Sequence, residues 1–469
     1  MKLLFAAAEI FPFAKSGGLA DMSHALPKAL FQSVETVSVM PLYRFIDKER
    51  YAIEPTGLGF SLDLDGTTHT IEYFKTEYEG VSHLFVYNET LCEVDHLYGP
   101  PGGCYDNNDI RFAIFCHAIA DLSKRLDTDI VHLNDWHTAL AAPLMKDAGL
   151  PAHTVYTIHN LAYQGIFPSS SIPKTGLASH HFTMEDMEFY GSVNWMKGGI
   201  RHSDAVTTVS PSYALEIQRS EYGCGLDGFL RKHRGKLHGI LNGIDDELYD
   251  PENDAAIPCR FSKERIANKS RCKRVYLKEI DIDKYEFPLF VFISRFVEQK
   301  GLDWIVEAVD EIGRLPMVLS ILGEGEERYH MLLEEAAKRY ENIHLRFGYD
   351  EALSHRLYAA ADFLLMPSRF EPCGLTQMIA MRYGTVPVVH RVGGLRDTVH
   401  PWREKTPLCG KGSLFEKSDA DAMMGAIGDA LELYERRRHL NRIRKFDMGC
   451  DFSIRKCAER YLELYRSLG

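Results

Sequence analysis

The chain has 469 residues, 45% hydrophobic and 26% charged, an ordinary globular composition that suggests two or three domains at roughly 150 residues each. Asp and Glu total 66 against 54 Lys and Arg, a net charge of -12, which argues against a general nucleic-acid or anionic-membrane binder. No apolar stretch approaches the ~20 residues that span a bilayer. The ten cysteines fit neither a zinc ribbon nor a disulfide scaffold, so reduced thiols and a cytoplasmic protein are expected.

The first element is Leu3 to Ala8, a buried strand and not a signal peptide, because Glu9 cuts the apolar run too early for an h-region. Thr36 to Met40, Ile130 to Leu133, Thr154 to Ile158, Ala205 to Val209 and Leu237 to Leu241 read as further buried strands. The pattern then breaks at Asp250-Pro251-Glu252-Asn253-Asp254 and a basic run from Lys263 to Arg274. Beyond it, Leu289 to Ile293 is followed by an amphipathic stretch from Leu302 to Arg314. Strand Met317 to Leu322, a helix near Glu326 to Tyr340, strand Ile343 to Phe347, a helix from Glu351, and strands Phe363 to Met366 and Val386 to Val389 come next. Continuous apolar strands alternating with helices are what a parallel sheet covered on both faces requires. The expected architecture is α/β, with two doubly wound Rossmann-like domains, residues 1–248 and 249–452, facing a deep cleft, and a terminal helix over 453–469.

In such sheets ligands bind beyond the carboxyl ends of the strands, and the chemically unusual residues gather there. After the first strand comes Lys15-Ser16-Gly17-Gly18-Leu19-Ala20-Asp21, where paired glycines let backbone N–H groups approach a phosphate or sugar. Taken alone, it is equally an ordinary Gly-Gly turn into a helix. Asn134-Asp135-Trp136-His137 and His159-Asn160-Leu161-Ala162-Tyr163-Gln164-Gly165 follow two more strands, with groups suited to sugar hydroxyls and ring faces. Asn242-Gly243 follows the last of the half, though Asn-Gly is also the commonest turn dipeptide.

In the second half, Arg295 and Lys300 share one strand–helix loop and can converge on a diphosphate, Arg by bidentate contact and Lys as a point charge. Gly323-Glu324-Gly325 and Tyr349 follow the next strands. Pro367-Ser368-Arg369-Phe370-Glu371-Pro372-Cys373-Gly374-Leu375-Thr376-Gln377 sets a carboxylate ahead of a helix start able to hold phosphate, and Gly393-Gly394-Leu395 follows Val386 to Val389. These loops suggest a nucleotide diphosphate on the second domain and a neutral polyhydroxylated partner on the first.

No G-x-x-x-x-G-K-[ST] sequence occurs, and no G-x-G-x-x-G follows the first strand, which disfavours ATP phosphoryl transfer and a dehydrogenase. Neither HExxH nor an Asp-rich metal loop is present. His180 and His181 are adjacent, and neighbours on an ordered element do not easily reach one ion, so the pair reads as structural and no metal is expected. Cys373 has no His nearby in sequence, against a thiolate nucleophile.

With those loops in hand, the chain resembles bacterial glycogen synthases and plant starch synthases, retaining glycosyltransferases of the GT-B fold. The resemblance rests on Lys15 to Asp21, Asn134 to Leu140, Thr157 to Gly165, Arg295 to Gly301, Pro367 to Gln377, Met381 to Thr385 and Gly393 to Val399, in family order and spacing. It implies transfer of glucose from ADP-glucose to the non-reducing end of glycogen or a maltooligosaccharide, with retention and without a cofactor or metal. Carried over by motif, Arg295 and Lys300 would neutralise the diphosphate and Glu371 would hold the donor glucose. Cys373, Gly374, Leu375 and Gly394 would shape its pocket, Thr376 would cap the phosphates and Tyr349 would stack on adenine. Lys15, Gly17, Gly18 and Asp21 would close over the donor, while Asp135, His159, Asn160 and Asn242 would line the acceptor side. The expected mechanism is front-face attack, with the His159 backbone carbonyl supporting the cationic sugar, and not a Glu371 nucleophile.

Two positions depart from the family pattern. Ile454 stands where a Trp is usual, which touches packing of the last helix, and Ile379 stands where many related transferases carry a second Glu. A UDP-glucose-using transferase with another acceptor would use the same cations and carboxylate. An inactive glucan-binding paralogue is the rival of another class, and it would be expected to have lost Glu371, Lys300 or His159.

Overall fold

A computed structural model describes residues 1–100, 103–348, 350–405 and 409–469. The chain divides into two compact units, one of Met1–Gly243 with Ile454–Gly469 and one of Ile244–Ser453. The division precedes residue 248 because the Ile244 N–H donates to the Phe452 carbonyl at 2.8 Å, which ties this segment to the second unit.

The first unit is built on a nine-stranded sheet in the order Leu237–Gly239, Ala205–Thr208, His153–Ile158, Ile130–Asn134, Lys2–Ala6, Glu35–Pro41, Val81–Tyr87, Thr67–Tyr78 and Glu54–Leu64. The first seven of these run parallel, whereas Thr67–Tyr78 pairs antiparallel with both of its neighbours. A purely parallel sheet is therefore not what forms. Asp65-Gly66 and Glu79-Gly80 both hold positive φ (51° and 73°, 48° and 83°), as tight hairpins require. The strand between them alternates exposed and buried residues, so only one of its faces meets the core.

The terminal helix Ile454–Leu468 completes this unit by polar as well as apolar contacts. Tyr465 Oη lies 2.7 Å from His132 Nδ1, and Tyr461 Oη lies 3.3 Å from Thr207 Oγ1, both inside the sheet. Ile454, at the start of this helix, is buried. No helix among the described residues is long and apolar enough to cross a membrane.

The second unit holds a seven-stranded parallel sheet, ordered Ile343–Phe347, Val318–Gly323, Leu289–Ile293, Phe363–Met366, Val386–His390, Lys411–Phe415 and His400–Pro401. Its core packs Phe290, Leu319, Ile321, Phe363 and Leu365 against Leu302, Trp304, Leu333 and Ile427. The amphipathic stretch from Leu302 is two short helices, Leu302–Glu307 and Val309–Ile312, because Ala308 sits at φ -88°, ψ 4° and opens the turn.

The second part of the basic run, from Lys269 to Arg274, opens the helix Lys269–Glu279, and Lys269 and Lys273 are buried on it. Lys269 donates to the Tyr358 and Ala359 carbonyls at 2.9 and 3.0 Å, while Lys273 pairs with Asp362 at 2.7 Å.

His355 is a second buried charge in this unit. Burial opposes its protonation, but Asp254 at 2.8 Å and Glu351 at 3.4 Å outweigh it and carry the imidazole up to about 9. A group raised on folding stabilises fully below its unfolded value near 6.5 and loses that contribution as pH climbs to about 9. The urea midpoint is expected to fall over this window by more in the wild type than in His355→Gln. Parallel curves would count against the ion pair.

Candidate active-site loops in the two units

In each unit most of the residues singled out from sequence lie beyond the carboxyl ends of three adjacent parallel strands, Asn242 instead following the edge strand Leu237–Gly239. In the first unit the three strands are Lys2–Ala6, Ile130–Asn134 and His153–Ile158. Gly17 precedes the helix Gly18–Leu30, and a β-carbon there would meet nothing within 4 Å, so this face of the turn is open. Lys15 Nζ pairs with Asp21 Oδ1 at 2.7 Å. These two residues, assigned separately to the donor, thus form one unit of charge.

Asp135 adopts φ 55°, unusual for a residue with a side chain, and turns its carboxylate toward the next strand end. Its Oδ1 accepts the N–H groups of His159 at 2.8 Å and Asn160 at 3.4 Å. Burial lifts this carboxyl to about 7 against the pull of those two donors. Burial also holds His159 down to about 3. The ring is neutral, and its Nε2–H donates to Asn134 Oδ1 at 2.9 Å. Asn242 is buried, and among the described residues its Oδ1 has no hydrogen-bond partner.

In the second unit the strands are Leu289–Ile293, Phe363–Met366 and Val386–His390. Lys300 Nζ and Ser368 Oγ both donate to Glu371 Oε2, at 2.7 and 2.8 Å. Glu371 is 6% exposed, and a carboxylate this buried is kept by charge-assisted donors. Arg295 is exposed, and among the described residues its guanidinium has no hydrogen-bond or ion-pair partner.

The three loops are knitted through backbone. The Arg369 N–H donates to the Gln299 carbonyl at 2.8 Å, Gln299 Nε2 donates to the Phe370 carbonyl at 3.2 Å, and the Gly394 N–H donates to the Glu371 carbonyl at 3.0 Å. A β-carbon on Gly394 would sit 2.2 Å from the Cys373 carbonyl oxygen and 2.4 Å from its Cα. Gly394→Ala is therefore expected to displace the 371–373 loop and lower kcat/KM about 10²-fold, with a cooperative unfolding transition retained. Unchanged kinetics would mean that the loop has room to move.

Gly374 holds φ 71° ahead of the helix Thr376–Arg382, whose cap residue is Leu375. Cys373 is buried beneath it. Tyr349 lies outside the described residues.

Sequence reasoning missed four positioning residues. Gln377 Nε2 donates to the Cys373 and Gly374 carbonyls at 3.1 and 2.8 Å and so shapes the turn. Ser368 and Asn134 stand inside motifs, where the sequence gives neither a role of its own. Glu9 was read only as an interruption of an apolar run. Its carboxylate accepts the Ser16 N–H, and burial, offset by the Ser16 bonds but reinforced by Asp21 and Asp135, raises it to about 7. Its place at a strand end was the available signal.

Comparison with known proteins gives the same division of the chain. The starch synthase catalytic domain family matches residues 2–232, and the glycosyl transferases group 1 family matches residues 278–445. A glycogen synthase of Aquifex aeolicus is 43% identical over 472 residues, covering 100% of this chain and 99% of that protein.

The chain belongs to the glycogen and starch synthase family.

Other members of the family are similar to it over the same extent. A glycogen synthase of Geotalea daltonii is 39% identical and covers 99% of this chain and 98% of its own. The catalytic domain of starch synthase IV from Arabidopsis thaliana, solved with ADP and acarbose, superposes with a TM-score of 0.93 at 31% identity over 99% of both chains. Sucrose-phosphate synthase from Thermosynechococcus elongatus shares the fold, with a TM-score of 0.65 at 16% identity, over 100% of this chain and 98% of its own. This glycogen and starch synthase family member is thus a GT-B glycosyltransferase, and its two sheets are the two Rossmann-like halves of that fold.

Proposed function

We propose that the chain is a cytoplasmic glycogen synthase that transfers glucose from ADP-glucose to the non-reducing end of an α-1,4-glucan, with retention and release of ADP. The observation that carries this reading is the second-unit constellation, in which the Lys300 ammonium meets the buried Glu371 carboxylate and the same strand–helix loop carries the exposed Arg295, which has no partner among the described residues. Such a set suits a diphosphate leaving group next to a hydroxyl-rich sugar. The bound ADP and acarbose of the starch synthase IV structure support the same donor and acceptor chemistry.

As the glycosidic bond breaks, Arg295 and Lys300 neutralise the departing diphosphate, a task that needs no metal. The N–H groups at Leu375 and Thr376 hold its oxygens, and Glu371 accepts from the glucose hydroxyls. Cys373, Gly374 and Gly394 wall the sugar, and Tyr349 stacks on the base. In the first unit Lys15, Gly17, Gly18 and Asp21 serve the donor, while Asp135, Asn160 and Asn242 serve the acceptor.

The neutral His159 ring is a poor general acid at its lowered pKa, which favours a role for its backbone carbonyl beside the cationic sugar. The leaving diphosphate then takes the acceptor proton on the same face. Glu371→Gln keeps an acceptor oxygen and is expected to lose about 10- to 100-fold in kcat, with no covalent adduct. A glucosyl ester trapped on Glu371 would establish a double displacement.

The deciding experiment supplies ADP-glucose or UDP-glucose with a maltooligosaccharide in EDTA and measures nucleotide release and chain length. Acceptor-dependent ADP release with lengthening is expected. UDP release in its place would overturn the donor, and activity restored only by added cation would overturn the metal independence.

A further inference from the structure

Three histidines and two aspartates meet in the first unit, among none of the residues assigned to glucose transfer. Asp147 ends the helix Ala141–Asp147, His180 and His181 lie on the short 3-10 turn Ser179–His181, Asp186 follows it, and His202 ends the helix Trp195–His202. His181 Nε2 is 2.9 Å from Asp147 Oδ2, and His180 Nε2 is 3.7 Å from Asp147 Oδ1. Behind them His181 Nδ1 is 2.7 Å from Asp186 Oδ2, and the same carboxylate receives His202 Nε2 at 2.8 Å.

We propose that Asp147, His180 and His181 form a binding site for a borderline transition-metal dication, zinc above all, with Asp186 and His202 as its supporting shell. Metal–nitrogen and metal–oxygen bonds of roughly 2.0–2.1 Å at tetrahedral angles place ligand atoms about 3.3 Å apart, and the two observed separations bracket that value. The donor set of two imidazoles and one carboxylate suits zinc and disfavours magnesium or calcium, which prefer all-oxygen shells.

The layering is also that of a metal centre. His180 and Asp147 are 66% and 34% exposed, so an ion can enter and take its fourth ligand from solvent, while His181 is 2% exposed. Asp186 orients the His181 ring through Nδ1, as supporting carboxylates do for zinc-binding histidines, and is itself held by His202.

Adjacency was the reason to read His180 and His181 as structural. On this turn their rings lean together, with centroids 4.1 Å apart and planes at 37°, so both reach the same carboxylate. The ion would pin the Ser179–His181 turn to the end of the Ala141–Asp147 helix.

The test uses the full chain stripped with chelator and then dialysed, titrated with cobalt(II) and followed by visible absorbance. One cobalt per chain with the intense bands of a tetrahedral ion, displaced by zinc, is expected. His180→Ala should weaken binding at least tenfold and Asp186→Asn about 10- to 100-fold. Zinc should raise the unfolding temperature of the wild type and leave that of His180→Ala unmoved. His180 is exposed, and its contacts are a 3.7 Å approach to Asp147 and the His181 ring, so its replacement leaves the fold intact. No cobalt bands, or binding as tight in His180→Ala as in the wild type, would overturn the site and leave a hydrogen-bonded His–Asp staple in its place.

Discussion

Replacing Lys300 by methionine is expected to lower kcat about 10³-fold, while KM for ADP-glucose rises far less. In the free protein the ammonium is spent on Glu371, 2.7 Å away. Its largest contribution comes when charge builds on the departing diphosphate, so its loss falls mainly on the transition state. Methionine keeps most of the volume of the stem, and the loop itself is held by other bonds. Gly301, at φ 70°, packs so closely that a β-carbon would lie 1.9 Å from the Pro367 carbonyl oxygen, and the Arg369 N–H reaches the Gln299 carbonyl. The variant should therefore stay folded and bind ADP. Lys300→Arg should recover part of the loss, because the charge is restored on a different geometry. Equal damage to kcat and to thermal stability would point to a structural lysine instead.

Asp362→Asn is expected to destabilise the second unit by about 3–5 kcal/mol, with activity per folded molecule unchanged. Asp362 is 5% exposed. Its Oδ2 accepts from Lys273 at 2.7 Å and from the Leu289 N–H at 2.9 Å, and Oδ1 accepts from Arg444. Burial opposes the negative charge, but Lys273 and Arg444 outweigh it and hold the carboxyl below the usual carboxylate range. An amide in its place leaves two buried cations without their anion, and that uncompensated charge is the source of the penalty. At about 2–4 °C per kcal/mol for a unit of this size, the melting temperature should drop by roughly 10 °C. Lys273→Met added to Asp362→Asn should restore part of it. A loss under about 1 kcal/mol would mean that water reaches the cluster.

The parallel strands were legible because burial on both faces leaves a local mark, an unbroken apolar run such as Leu289–Ile293 or Phe363–Met366. The antiparallel edge over residues 54–87 was not, although Asp65-Gly66 separates two alternating segments in the manner of a tight hairpin. An alternation with Thr, Glu and Lys on the wet face is a weak signal beside a solid apolar run. The loops that carry the candidate chemistry were legible for the opposite reason. Gly374 and Gly394 stand where the backbone must bend or be closely approached, and carboxylates and cations beside such turns have few structural uses.

Sequence alone thus determined the fold class, the succession of strand-end loops and the identity of the groups they offer, because each is written in consecutive residues. Only the tertiary structure decided what those groups meet. Lys300 and Glu371 lie 71 positions apart, and His132 and Tyr465 lie 333 apart. The neutrality of His159 and the raised carboxyls of Glu9 and Asp135 depend on how much water their neighbours exclude. The meeting of His180 and His181 with Asp147 depends likewise on two segments arriving at one place. Desolvation and pairing are sums over atoms brought together by the chain's return, and no window of consecutive residues contains them.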